Sequence, residues 1–101
     1  MAFNILIRSE AQNDIAQIAH WYKSQANNLD KRFLTALEHT LEKLSYMADS
    51  HAIIYQNTRK ILLHKFPYAV HYQIDGFDVI VFAVLHGSQN PINWQIRADN
   101  V

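Results

Sequence analysis

The chain contains 101 residues with a mass of 11.8 kDa, which is the size of one ordinary globular domain. Half of the residues are hydrophobic, and only two are glycine and two are proline, so disordered, collagen-like and low-complexity chains are excluded. Nine basic and nine acidic residues cancel, which argues against binding that depends on nucleic-acid phosphates alone. The sequence shows no cysteine and no basic leader, and its longest apolar run is much shorter than the roughly 20 residues that a membrane span needs. We therefore expect one cytoplasmic domain over residues 1–101.

The first half of the chain predicts a strand followed by two helices. Phe3–Arg8 is an apolar run of strand length. Ser9 and the three residues after it fit a capping box, which predicts a helix that begins at Glu10. A polar turn at Ser24–Asn28 separates this helix from a second amphipathic helix over Leu29–Met47. Two such helices joined by a short turn are expected to pack as a hairpin against a third surface.

The second half has the two-residue period of strands. Arg59–Phe66 is a strand candidate, Pro67 interrupts it, and apolar residues alternate with polar ones over Tyr68–Ile74. Asp75-Gly76 is a strong hairpin signal. The next segment, Phe77–Leu85, is a nearly unbroken apolar strand, a pattern typical of a strand covered on both faces.

The order strand, helix, helix and three strands predicts an α+β fold. In this fold the helical hairpin packs on a small, mostly antiparallel sheet. The last ten residues, Ile92–Val101, are interpreted as a tail that docks through Trp94. We expect Tyr72 to lie in the core between the helices and the sheet.

Histidines and basic residues are the candidate chemical groups of this chain. The sequence contains no nucleophile elbow, no glycine-rich phosphate loop and no His-Glu-x-x-His pattern, so we expect neither a metal nor a cofactor. His86 stands where the last strand gives way to a loop, a position from which it can act as an acid. Between Asp49 and Asp75 the chain carries basic residues and histidines but no carboxylate, which indicates either a solvated strand face or an anion-binding surface.

Several segments carry a resemblance to a known family. They are Ser9-Glu10-Ala11 and Trp21-Tyr22 near the start, then Arg59–Ile74, Val79–His86 and the Pro-x-x-Trp-x-x-Arg pattern within Asn90–Arg97. In this order they resemble the RelE/ParE toxin superfamily of type II toxin-antitoxin modules over nearly the whole chain. The resemblance implies the same strand-helix-helix-three-strand fold and a toxin that inhibits growth. It also implies a hetero-oligomer with a cognate antitoxin, and roles in stress response and plasmid stabilisation.

Members of the superfamily act by one of two mechanisms. RelE-like members are ribosome-dependent mRNA endoribonucleases that use basic residues of the sheet, whereas ParE-like members lack that set and inhibit DNA gyrase by binding. Two positions that the resemblance assigns to RelE-like cations are Leu62 and Ala69 here, and the loop after the last strand reads Gly87-Ser88-Gln89. Cleavage by a ribose 2′-hydroxyl without cations loses the electrostatic stabilisation of its transition state.

We therefore expect a ParE-like toxin that is not an enzyme and binds DNA gyrase. Two alternatives stay open: a ribosome-dependent endoribonuclease that uses His86 as its acid, and an inactive domain that binds only the antitoxin. The residues that we expect to face the target are Arg59, Lys60, Lys65, Trp94 and Arg97.

Overall fold

The structure is a computed structural model that describes residues 2–101, in which five strands and three α-helices occur. In chain order they are β1 (Asn4–Ile7), α1 (Ser9–Gln25), α2 (Leu29–Met47), β2 (Ile53–Tyr55), β3 (Thr58–Leu62), β4 (Tyr68–Asp75), β5 (Asp78–His86) and α3 (Ile92–Ala98). A 3₁₀ turn, Ala48–Ser50, directly follows α2. Within this described range, none of the helices has the length and hydrophobicity needed to cross a bilayer. The predicted α+β class, with a strand and a helical hairpin before the other strands, is confirmed.

All five strands form one sheet in the order β1-β5-β4-β3-β2. β1 runs parallel to β5, and the other neighbouring pairs are antiparallel, so the predicted mostly antiparallel sheet is confirmed. The hairpin between β4 and β5 turns at Gly76 and Phe77, and Gly76 takes a φ of +61° that glycine adopts without steric cost. β5 lies inside the sheet, and its residues 81–85 are all buried, in agreement with its apolar pattern.

Two short elements are absent from the sequence prediction. β2 has three residues, too few to show a period, and it turns into β3 through Gln56 and Asn57, which both have positive φ. α3 has seven residues, and Pro91 flanks its N-terminus, where a fixed helical φ fits. The predicted C-terminal tail is therefore partly a helix, and four strands instead of three follow the helical hairpin.

The end of β3 differs from its prediction. β3 ends at Leu62 and not at Phe66, because Lys65 takes a left-handed φ of +67° and the chain reverses there. The amide of Leu63 still donates to the carbonyl of Tyr68 at 3.0 Å, which joins the two strands just before the turn. An alternating pattern predicts strand residues, but it does not show where a backbone leaves the extended region.

The predicted capping box at the start of α1 does not form. Arg8 is the flanking residue with an extended backbone, and Ser9 is already the first helical residue. The Ser9 hydroxyl donates to the side chain of Glu10 at 3.2 Å, and the Gln12 side chain donates to the carbonyl of Ile7 at 3.1 Å. Because β1 continues to pair with β5 through the Arg8 amide, the helix begins immediately after the strand.

Helices pack against both faces of the sheet. The inner face packs against α1 and α2, and the outer face packs against α3. A β-bulge in β5 determines which face of the sheet each of its apolar residues occupies. Val81 and Ala83 pair with consecutive residues of β4, so Phe82 is the extra residue. Phe82 and Ala83 therefore both contribute to the outer core, whereas Val81 and Val84 contribute to the inner core.

Tyr72 lies in the inner core, as predicted. Its side chain is fully buried, and its hydroxyl donates to the carbonyl of Ala48 at 2.6 Å. Burial raises the pKa of Tyr72 to about 12, so the phenol stays protonated and remains a donor. This bond fixes the 3₁₀ turn after α2 against the centre of the sheet.

Candidate functional site

Three rows of side chains cross β3, β4 and β5 on the outer face of the sheet. The strand registers make the rows Thr58–Gln73–Ile80, Lys60–His71–Ala83 and Leu62–Ala69–Leu85. The third row is apolar, and it holds both positions, Leu62 and Ala69, that the resemblance assigns to RelE-like cations. Lys60 is the one lysine or arginine in the three rows.

His71 occupies the centre of the outer face beneath α3. The ring of Trp94 stacks on the imidazole with 4.9 Å between centroids and 26° between planes. Burial lowers the pKa of His71 to about 4, and the positive charges of Lys60 and Arg97 contribute in the same direction. His71 is therefore neutral near pH 7 and supplies no cation to this face.

Arg97 closes the edge of β5 beyond the end of β1. Its two terminal guanidinium nitrogens donate to the carboxylate of Asp14 on α1 at 2.6 and 3.1 Å, and one of them donates to the carbonyl of Phe82 at 3.2 Å. The same carboxylate accepts from the amide of Val84 at 3.0 Å. Pairing along this edge of β5 ends with the bond from the Arg8 amide to the Val81 carbonyl, so the ion pair satisfies the edge groups of Phe82 and Val84 beyond it.

Arg59 lies on the inner side of β3 and holds the segment after α2. One guanidinium nitrogen donates to the carbonyl of Asp49 at 2.7 Å and to the carbonyl of His51 at 3.1 Å. The side chain is half-buried. Together with the Tyr72 hydroxyl, Arg59 fixes this segment to the sheet.

His86 ends β5 on the inner side. It pairs with Tyr68, and the two rings meet edge to face with 5.4 Å between centroids. Its Nδ1 accepts from the backbone amide of Ser88 at 3.0 Å, so the neutral ring carries its proton on Nε2. Tyr68 packs against Tyr22 and Phe33 of the helical hairpin, on the face opposite Lys60.

The six residues singled out from the sequence thus occupy separate places. Lys60, Trp94 and Arg97 lie around His71 on the outer face. Arg59 lies against the 3₁₀ turn, Lys65 stands exposed in the turn after β3, and His86 is at the end of β5. The structure does not bring them together as one site. Nor do the described residues contain a group of three acidic or histidine side chains suited to a metal ion.

A groove of about 950 Å³ between α2 and β3 was not predicted from the sequence. Its residues are Leu29, Arg32, Thr35, Ala36, His39, Thr40, Lys43, His51, Ile61, Leu62, Leu63, His64, Lys65 and Phe66. None of these described lining residues is acidic, whereas three are lysine or arginine and three are histidine. The spacing of Arg32, His39 and Lys43 along one face of α2 is the signal that points to this groove.

Comparison with known proteins identifies the family of the chain. The model of the family described as the ParE toxin of the type II toxin-antitoxin system, parDE, matches residues 5–91 and ends before α3. No curated protein is significantly similar in sequence.

Two solved structures have the same fold at low sequence identity. A chain of the chromosomal ParDE TA system from P. aeruginosa is 12% identical, with a TM-score of 0.75 over 84% of this chain and 96% of that one. The isolated E. coli RelE toxin is 14% identical, with a TM-score of 0.50 over 99% of this chain and all of that one. Since the family model covers most of the residues, the chain belongs to the ParE toxin family of type II toxin-antitoxin systems.

Proposed function

We propose that this toxin inhibits growth by binding its target, DNA gyrase, without cutting RNA, and that a cognate antitoxin neutralises it. The observation that carries the proposal is the apolar row Leu62–Ala69–Leu85 on the outer face. The resemblance assigns cations of RelE-like nucleases to two of these positions, Leu62 and Ala69, and both side chains are apolar here. Membership of the ParE family supports the same conclusion.

The chemistry of RNA cleavage explains why this row matters. Attack by a ribose 2′-hydroxyl forms a pentacovalent phosphorane whose equatorial oxygens carry the added negative charge. Each donor positioned at these oxygens lowers the barrier to cleavage by a few kcal/mol, roughly 3. Of the cations near the outer face, Lys60 is exposed, whereas the guanidinium of Arg97 is bonded to Asp14. His71 is neutral and covered by Trp94. One lysine does not make a phosphorane-stabilising site.

The position of His86 supports the same proposal. A catalytic acid must lie within hydrogen-bond reach of the leaving oxygen while the cations hold the phosphate. His86 pairs with the inward-facing Tyr68, whereas Lys60 belongs to an outer row, so the two side chains do not converge. We therefore leave His86 out of the proposed mechanism.

Among the residues expected to face the target, Lys60 and Lys65 are the ones that we propose to bind it. Both are exposed, so their charge is available to a macromolecular partner. Arg59 and Arg97 are half-buried and use their guanidinium groups to bind backbone carbonyls and a carboxylate. Trp94 is also half-buried and stacks on His71. Arg59, Arg97 and Trp94 therefore contribute indirectly, because they fix the segments that form the target-binding surface of the toxin.

Two reactions run with the same purified chain test this proposal. We expect the chain to inhibit negative supercoiling of a relaxed plasmid by gyrase and to leave mRNA intact in a translating extract. Adding the antitoxin first should restore supercoiling. Normal supercoiling together with mRNA that shortens only when ribosomes are present would contradict the proposal and establish the nuclease. No effect in either reaction, and no growth arrest at confirmed soluble expression, would establish an inactive antitoxin-binding domain.

A further inference from the structure

The walls of the groove between α2 and β3 carry charge of one sign. Arg32, His39 and Lys43 stand on the α2 wall, and His64 and Lys65 come from the turn after β3. All five side chains are exposed, and no carboxylate occurs among the described residues that line the groove. The formal net charge of the whole chain is zero, so this excess of basic groups is local to the groove. A cleft lined by one sign of charge concentrates ions of the opposite sign.

The charged residues of α2 are sorted between its faces. The carboxylates of the helix lie outside the groove lining; they are Asp30, Glu38 and Glu42. Arg32 and Lys43, in contrast, both line the groove and are three helical turns apart, which is about 16 Å along the axis. His39 lies between them, about one turn before Lys43. The groove side of α2 is therefore a row of basic groups that no carboxylate interrupts.

These basic groups lack partners within the described chain. One ion pair occurs among residues 2–101, and it lies outside the groove, so Arg32, Lys43 and Lys65 have no carboxylate within reach. The Nδ1 atom of His51, which also lines the groove, is buried and has no hydrogen-bond partner among the described residues. A buried polar atom without a partner costs free energy, and a ligand that supplies the partner removes that cost.

The size and the floor of the groove suit a small molecule. Its volume of about 950 Å³ is at the upper end of the range for small-molecule sites. Ile61 and Leu63 form a buried apolar floor, and Phe66 beside them is half-buried. Apolar surroundings reduce the screening of charges by water, so the walls attract an anion above this floor more strongly than they would at an open surface.

We propose that this groove binds a chain of linked phosphates, either free or carried by a nucleoside. Linked phosphates place several negative charges on one flexible ligand, which can contact the cations of α2 and those of the turn after β3 at the same time. A single sulfate ion is too small to contact both walls. The apolar floor accommodates a nucleoside where one is attached. Phosphate binding does not require the proposed action on gyrase, although both involve Lys65.

Calorimetric titration of the purified chain tests the site. At fixed ionic strength and without divalent metal ions, we expect inorganic tripolyphosphate to bind at least ~10-fold more tightly than sulfate. At saturation it should raise the melting temperature by at least about 4 °C. Tripolyphosphate that binds no more tightly than sulfate would overturn the proposal. An oligonucleotide of equal net charge that binds more tightly than tripolyphosphate would also overturn it, because the groove would then be a surface for nucleic acid.

Adenosine triphosphate distinguishes the two sources of linked phosphates. An affinity close to that of tripolyphosphate means that the groove binds the phosphate chain alone. Tighter binding means that the floor also holds the nucleoside. Both results support the site.

Two double variants with the same change in net charge test whether the groove itself binds the anion. Arg32→Gln combined with Lys43→Gln should weaken tripolyphosphate binding at least ~10-fold. Lys23→Gln combined with Lys31→Gln is the matched control and should change it less than ~2-fold, since both lysines are exposed on the helical hairpin outside the groove. All four positions are exposed, so we expect both variants to fold, and their melting temperatures check this. Equal weakening in the two variants would show that net charge alone attracts the anion, and would contradict the site.

Discussion

Replacing Asp14 by alanine tests how α1, β5 and α3 are joined. Asp14 is 8% exposed, and its carboxylate accepts one hydrogen bond from the Val84 amide and two from Arg97. The substitution removes all three bonds. It leaves the Val84 amide without a partner at a strand edge and the guanidinium held only by the Phe82 carbonyl.

The expected loss follows from these contacts. A buried amide left without a partner costs about 1–3 kcal/mol. Losing an ion pair costs about 0–1 kcal/mol at a surface and about 3–5 kcal/mol when it is buried. Because 26% of the Arg97 side chain is exposed, the loss of its ion pair with Asp14 should cost less than the loss of a fully buried pair. We expect Asp14→Ala to lower the free energy of unfolding by about 3 kcal/mol.

A double-mutant cycle separates the ion pair from the rest of the effect. Arg97→Ala leaves the carboxylate bonded to Val84, so we expect a smaller loss of about 2 kcal/mol, and the coupling between the two sites should be about 1–2 kcal/mol. Urea unfolding followed by circular dichroism measures all four proteins. Glu42→Ala, an exposed carboxylate on α2, is the control and should change stability by less than about 0.5 kcal/mol. If Asp14→Ala unfolds at the same urea concentration as Glu42→Ala, the edge-closing role of the pair is refuted.

Three further predictions concern pH, the core and toxicity. The pKa of His71 is about 4 when folded and near 6.5 when unfolded, so the unfolded chain binds the extra proton between these values. Stability should therefore fall by up to about 3 kcal/mol as pH decreases from 6.5 to 4. The urea midpoint of unfolding should depend less steeply on pH in His71→Phe than in the unmodified chain, whereas His20→Gln, at an exposed position, should keep the full dependence. Tyr72→Phe removes a 2.6 Å buried hydrogen bond and should cost about 1 kcal/mol, measured as a lower melting temperature; an unchanged value would contradict that role of the hydroxyl. Lys60→Gln and Lys65→Gln should each weaken growth inhibition while unfolding stays within about 0.5 kcal/mol of the unmodified chain, and full toxicity in both variants would remove them from the target surface.

Local patterns predict the long elements of this fold well. α1 and α2 are long enough for several turns of apolar periodicity, and β5 is long enough to show the unbroken pattern of a covered strand. Gly76 is the turn residue with a positive φ that a hairpin requires. The sequence does not predict β2 and α3, because elements of three and seven residues are too short to show a clear period.

The roles of the basic side chains do not follow from local sequence patterns. The sequence pattern indicates that Arg59 and Arg97 are exposed strand and tail cations, yet Arg59 bonds to backbone carbonyls of the segment after α2 and Arg97 bonds to a carboxylate on α1. Asp14 and Arg97 are 83 residues apart, and no local spacing relates them. Their partnership exists because β1 is shorter than β5 and leaves an edge that both can reach.

Periodicity and residue types in a fixed order are enough to predict the α+β class, the helical hairpin, the burial of Tyr72 and the family resemblance. Which cations remain exposed, which face each strand residue occupies and where a groove opens become defined only when the strands and helices pack together. These properties depend on strand register and on the bulge at Phe82, and a shift of one residue in register exchanges the two faces of a strand. The basic residues of α2 and the residues of β3 line one groove only after the sheet has formed, because helix and strand are separate elements brought together by packing.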